Sequence, residues 1–325
     1  MILRVDDLRT FFPVRRGLLK RKVGEIKAVD GVSFSIQPGT TLGLVGESGS
    51  GKSTVARTVL RLYQPTTGTV EFKGRDITRV SMRRLRPLRR HMPMVFQDPG
   101  SSLDPRKTVG ALIGEPLLVH KLATSREAYR KRIAELIDLV GLPETAADRM
   151  PHEFSGGQRQ RVAIARAIAS EPDFLVLDEA VSALDVSVQA QIVNLLEDLQ
   201  ARLGIAYLFI AHDLSVVRHI SDQVAVMYLG RIVEIGNRDE IFAHPRHPYT
   251  RLLLSAVAVP DPVIEAKRER VIIRGELPSL LNRPRGCHFS NRCPLVTPEC
   301  HEIDPPLVPL STTHAAACIR IGEAT

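Results

Sequence analysis

Apolar positions along this chain fall into two patterns that alternate in blocks. Short runs rich in branched and aromatic residues at Ile2 to Phe12, Ile26 to Ile36 and Thr69 to Phe72 predict strands of a partly antiparallel flank. Near-continuous apolar runs at Thr41 to Val45, Met92 to Phe96, Phe174 to Leu177 and Tyr207 to Ala211 predict buried strands of a parallel core. Helical spacing follows the first core strand, from Ser53 to Leu62, and recurs at Val109 to His120, Arg126 to Val140 and Gln158 to Ala169. From Leu103 to about Arg149 no strand run interrupts the helices. The expected fold is therefore α/β, a sheet core with a β flank and an inserted helical subdomain at about 103–169.

Composition narrows the class without naming a partner. With 325 residues, 44% hydrophobic and 25% charged, the chain is long enough for one large domain and a small one. No apolar stretch approaches the ~20 residues that span a bilayer, and the N-terminus lacks a basic leader with an apolar core, so neither membrane spanning nor export is expected. The net charge of +8 suits an anionic lipid surface and nucleic acid equally. The densest basic run, Arg83, Arg84, Arg86, Arg89 and Arg90, has no interleaved aromatics and reads as a solvated helix face. The polar, basic stretch from Gly17 to Gly24 reads as a loop between two strands.

The chemistry lies where the core strands end. Gly46, Glu47, Ser48, Gly49, Ser50, Gly51, Lys52 and Ser53, with Thr54 next, fit G-x-x-x-x-G-K-[ST] between a strand and a helix. Such a loop lets backbone N–H groups crowd around phosphates at a helix N-terminus, with Lys52 reaching the β and γ oxygens and Ser53 offering a hydroxyl to Mg²⁺. ATP and Mg²⁺ are the expected ligands. Asp178 and Glu179 close the Phe174 strand, one placed to hold Mg²⁺ and the other to take a proton from the attacking water. His212 closes the Tyr207 run and is expected to sense the γ-phosphate.

Ser155-Gly156-Gly157-Gln158, followed by Arg159, Gln160 and Arg161, resembles the signature motif of ATP-binding-cassette ATPases. Gln97 resembles that family's Q-loop and Ser182-Ala183-Leu184-Asp185 its D-loop, so the resemblance spans residues 1–257. It implies two cassettes paired head to tail, each signature loop covering the partner's ATP, with Asp185 aligning the halves. It also implies an aromatic stacked on adenine, assigned to Phe12 with Phe11 as the alternative, and a Q-loop and helical insert that contact membrane subunits. The segment Phe242 to Leu254 resembles the end of the ATPase subunits of dipeptide, oligopeptide and nickel importers. The basic loop and the wording from Asp178 to Gln189 look most like the second of their two ATPase subunits. The implied partners are a second, non-identical ATPase subunit, two transmembrane permease subunits and an extracytoplasmic solute-binding protein. The implied location is the cytoplasmic face of the plasma (inner) membrane, with no nucleic acid expected.

All four cysteines, Cys287, Cys293, Cys300 and Cys318, fall in the last 39 residues, separated by five, six and seventeen residues. That spacing lacks the paired C-x₂-C of zinc ribbons and favours thiolate ligation of four irons. The tail also resembles the peptide-importer C-terminal domain, which is associated with a [4Fe–4S] cluster. Zinc, with His288 or His301, and four free thiols are the alternatives. The expected domains are an ATPase domain at 1–257 and a C-terminal extension at 258–325. The expected function is ATP hydrolysis driving import of di- or oligopeptides. The same motor in a nickel importer, a soluble cassette ATPase and a nucleotide-switched sensing module are the alternatives.

Overall fold

The structure, a computed structural model, describes residues 1–17, 21–256, 278, 280–281 and 283–321. The expected domain boundary at 257/258 lies outside the described residues. In chain order the strands are β1 (Leu3–Arg16), β2 (Arg21–Ile36), β3 (Thr41–Val45), β4 (Thr67–Phe72), β5 (Arg75–Asp76), β6 (Met94–Val95), β7 (Phe174–Asp178), β8 (Ala206–Ile210), β9 (Gln223–Tyr228), β10 (Arg231–Asn237), β11 (Val308–Pro309) and β12 (Ala315–Ala316). The chain divides into two compact units. The first comprises Met1–Leu3, Ser35–Thr41 and Glu71–Ala211, the second Arg4–Phe34, Leu42–Val70 and His212–Thr325.

In the first unit β6, β7 and β8 run parallel, with Val95 beside Leu177 and Asp178 beside Ile210. Every residue of β7 and β8 is buried, as a strand covered on both faces requires. The parallel arrangement brings the C-terminal end of β7 to the sheet edge, where Asp178 and Glu179 stand. Between β6 and β7 stand helices Val109–Val119, Arg126–Leu139 and Gly156–Ile168. Each begins at a hydroxyl cap: Thr108 Oγ1 accepts the Ala111 N–H at 3.3 Å, Ser125 Oγ the Ala128 N–H at 3.1 Å and Ser155 Oγ the Gln158 N–H at 3.3 Å. The arginine run lies on helix Met82–Arg89, with Arg83, Arg84 and Arg86 exposed. A further helix, Val186–Leu203, buries Ile192, Val193, Leu196 and Leu199.

In the second unit β1 and β2 are neighbours, and β4 lies on the other side of β1. The expected loop at 17–24 is shorter than the sequence implies. β1 continues to Arg16 and β2 resumes at Arg21, with residues 18–20 outside the described set. β3 runs parallel to β9, placing Val45 beside Val226, and β10 pairs antiparallel with β9. The cysteine-bearing tail adds to this sheet. β12 pairs with β10, Glu234 facing Ala316, and β11 pairs with β12. Beneath that edge Glu234 is fully buried, its carboxylate accepting the Arg246 and His247 N–H groups at 2.7 and 2.8 Å and contacting His314 Nε2 at 2.7 Å.

Candidate active site

In the second unit, β3 is buried throughout and delivers the chain to a turn at Gly46 and then to helix Lys52–Val59. Gly46 has φ +151°, and a Cβ there would overlap the Met227 carbonyl oxygen, so no other residue fits this approach to β9. The helix starts at Gly51 with no side chain capping its first N–H groups. A helix N-terminus after such a loop is a ready anion site. Lys52 is 4% exposed, and its ammonium donates to the Gly46 and Glu47 carbonyls at 2.8 and 3.0 Å. Ser53 and Thr54 beside it are half-buried.

Glu47 is held at both ends. Its N–H donates to the Tyr249 hydroxyl at 2.9 Å, and its carboxylate accepts two bonds from Arg292, at 2.9 and 3.2 Å. Ser50 holds the far side of the loop, its carbonyl accepting the Gly230 N–H at 2.8 Å. Of the two candidate adenine aromatics, Phe12 meets Tyr63 edge to face at 5.3 Å between centroids, and Phe11 has the Lys27 ammonium 5.5 Å from its ring. Both rings are half-buried.

The first unit holds the carboxylates. Asp178 ends β7 and is 3% exposed. Glu179 follows at φ +50°, a left-handed conformation unusual for a residue with a side chain. Its backbone is fixed there: its N–H donates to Ile210 O at 2.9 Å, and its carbonyl accepts from the Ser182 N–H and hydroxyl. Strain of this kind persists where surroundings over-determine it. Gln97 Nε2 donates to Glu179 Oε2 at 2.7 Å, so two residues 82 positions apart meet in the fold. His212, exposed, follows Ala211 where the second unit resumes.

The signature segment makes a reciprocal cap in the first unit. Ser155 Oγ accepts the Gln158 N–H at 3.3 Å while Gln158 Oε1 accepts the Ser155 N–H at 3.0 Å. Ser155 and Gly156 are exposed, whereas Gly157 is buried and a Cβ on it would overlap Val188 Cγ1. Asp185, exposed, stands before helix Val186–Leu203, and Val186 next to it is 83% exposed.

The cysteine expectation needs correction. Cys287, Cys293, Cys300 and Cys318 do line one pocket, with Phe289, Leu295 and Ile319 among their neighbours, but its volume is about 10 Å³. Among the described residues no three His, Cys, Asp or Glu side chains stand close enough to hold a metal ion, zinc with His288 or His301 included. The donor set suits thiolate ligation, yet the geometry is not that of a [4Fe–4S] centre. Burial pushes the Cys287 thiol up to about 11, and burial raises Cys293 and Cys318 too, each neighbouring sulfur adding to the effect.

Sequence reasoning missed Tyr249 and Arg292, which lie 202 and 245 positions from Glu47. The only sequence signal was a charged residue enclosed by Phe289 and Cys293.

Two family models match: ABC transporter over residues 29–182, and the oligopeptide/dipeptide transporter C-terminal region over residues 233–300. The oligopeptide transport ATP-binding protein AppF of Bacillus subtilis is 53% identical over 98% of this chain and 96% of its own length. The chain belongs to the ABC transporter family. Within that family the putative oligopeptide transport ATP-binding protein YkfD of the same organism is 50% identical over 98% of this chain and 94% of its own. Among solved structures, the ATP-binding cassette MJ0796, a dimer in a post-hydrolysis state bound to ADP and Pi, aligns with TM-score 0.65 at 29% identity, covering 73% of this chain and 99% of that one. The ABC ATPase fold follows, and ATP with Mg²⁺ is consistent with it. Among the described residues no helix is long and apolar enough to cross a membrane.

Proposed function

We propose that this chain is the ATP-hydrolysing subunit of an importer for di- or oligopeptides. The observation that carries the reading is the pairing of a cassette with the peptide-transporter C-terminal region in one chain, matched over 98% of its length by relatives named for oligopeptide transport. No observation favours nickel, or a soluble ATPase working on nucleic acid.

In this reading the phosphate loop, with Lys52, Ser53 and Thr54, takes the ATP phosphates, and Phe12 stacks on adenine. Ser53, Asp178 and Gln97 are oxygen donors of the kind Mg²⁺ accepts, and the ion would neutralise charge on the transferring phosphoryl group. Glu179 takes the proton of the attacking water, oriented by its bond to Gln97, and His212 meets the γ-phosphate. Ser155 to Gln158 cover the ATP of a second cassette, with Asp185 aligning the pair. A related second subunit is the proposed partner, this chain resembling the second of the pair. A groove of about 230 Å³ lined by Arg89, Arg90, Phe96, Leu103, His120 and Arg166 is the proposed seat of a permease subunit at the inner membrane face. The extension at 258–325 supports the ATPase domain at 1–257. Its four thiols keep a cluster-binding role only if the segment around Cys287–Cys293 opens, which anaerobic iron, sulfide and zinc analysis would show.

The deciding experiment is uptake of a labelled oligopeptide by cells carrying the complete transporter, with wild-type chain or Lys52→Ala. Loss of uptake and of ATP binding together supports the reading. Uptake unchanged by Lys52→Ala, or nickel carried in place of peptide, refutes it.

A further inference from the structure

Glu47 puts a negative charge inside a loop built to receive a polyanion. A lone carboxylate there opposes ATP binding, and a carboxylate that swings inward competes with the phosphates for the loop's N–H groups. The structure gives it somewhere else to go. Arg292, whose side chain is 7% exposed, takes both carboxylate oxygens in the bidentate geometry that makes arginine pairs strong. Burial works against the Arg292 charge, but its bonds to Glu47 and to the Tyr228 hydroxyl hold the guanidinium above the usual arginine range.

Arg292 is itself fixed. The turn carrying it is closed by the Ser290 N–H on Cys287 O and the Arg292 N–H on Phe289 O, both at 3.0 Å. Phe289 packs against Tyr228 and Tyr249, with centroids 5.2 and 5.3 Å away, and Tyr249 holds the Glu47 N–H. Side chain and backbone of one loop residue thus rest on a single aromatic cluster of the C-terminal region.

We infer that Arg292, with Tyr249, is a positioning pair for nucleotide binding, drawing the Glu47 carboxylate out of the phosphate loop and holding the loop open for the ATP phosphates. The inference rests on the reading that this loop binds ATP. The acceptor is the phosphate chain of a nucleotide, and the effect falls on affinity, not on the chemical step. Arg292 and Glu47 form a charge pair in which Glu47 is partly solvated, so the ATP Kd of Arg292→Ala is expected to rise by about tenfold to thirtyfold, roughly 1.4–2 kcal/mol at 1.4 kcal/mol per tenfold.

The test is ATP binding by titration calorimetry on the full chain, with KM and kcat measured in the complete transporter. Expected results are a raised Kd and KM for Arg292→Ala, kcat within about twofold of wild type, and recovery of most of the lost affinity when Glu47→Gln is added. A merely structural role predicts no recovery on neutralising Glu47. Should Arg292→Ala fail to fold, Tyr249→Phe, which deletes only the acceptor of the Glu47 N–H, is expected to weaken ATP binding severalfold. Wild-type affinity in the variant that folds, or no recovery in the double variant, overturns the inference. A wild-type chain that binds no ATP overturns instead the reading it rests on.

Discussion

Replacing Glu234 by glutamine tests whether the tail is held by a buried charge. The carboxylate is fully buried and meets three nitrogens at 2.7 to 2.8 Å: the Arg246 and His247 backbone donors and His314 Nε2. Burial pushes its pKa up, but His314 and those N–H groups outweigh burial and leave it below the ordinary carboxylate range. Glutamine keeps the shape, yet whichever way its amide turns, an NH₂ faces a backbone N–H. One buried donor loses its acceptor, at about 1–3 kcal/mol, and the remaining bonds lose their charge assistance, at about 1 kcal/mol each. The sum is about 3–5 kcal/mol. Because Glu234 sits on β10 where β12 pairs, the loss should appear as local opening. Hydrogen exchange followed by mass spectrometry should show the β10 and β12 amides exchanging at least about a hundredfold faster in Glu234→Gln. A change below about fivefold would refute the reasoning.

Glu179→Gln should keep ATP binding and lower turnover by about 10²–10⁴, measured as phosphate release; near-normal turnover removes the general-base assignment. Gly157→Ala should depress ATPase activity by pushing the start of the signature helix off Val188, and Val188→Ala in the same chain should restore it. Acidification should weaken the fold through His247. Burial lowers its pKa to about 4 against an ordinary 6.5, and its Nδ1 accepts the Tyr249 N–H at 3.1 Å, a bond only the neutral ring makes. The unfolded chain therefore takes up the proton first as pH falls. The stabilisation is whole above about pH 6.5, declines toward pH 4, and drops by about 2 kcal/mol between pH 7 and 5. Urea unfolding midpoints at the two pH values check this, and His247→Gln should flatten the slope.

What the sequence disclosed was local. The apolar run Thr41 to Val45 is β3 to the residue, and the helical spacing at Val109 to His120 and Arg126 to Val140 matches two of the insert's helices to within one residue. The phosphate loop and signature are equally legible, since contiguous residues shape each. Helix Val186–Leu203 shows the same periodicity in Ile192, Val193, Leu196 and Leu199, directly after the motif residues Ser182 to Asp185. β9 is apolar after Gln223 and β10 is broken by a charge at Glu234, a conflicting signal that the Arg246 and His247 N–H groups and the His314 contact resolve. The support of Glu47 by Tyr249 and Arg292 was out of reach, because it depends on segments that meet only after folding. The cysteine spacing excluded a zinc ribbon without saying how near the sulfurs would come.

The pairing of β12 with β10 has a consequence for the chain's behaviour outside its complex. β10 would otherwise present a row of unpaired N–H and C=O groups, and Glu234–Ala316, Ile235–Ala315 and the Ala317 N–H on Val233 O cover part of that row. An uncovered strand edge recruits strands from other molecules. A chain shortened before Ala315 would therefore be prone to self-association through β10, even with every nucleotide motif intact. The β11–β12 segment thus guards that edge of the sheet against foreign strands.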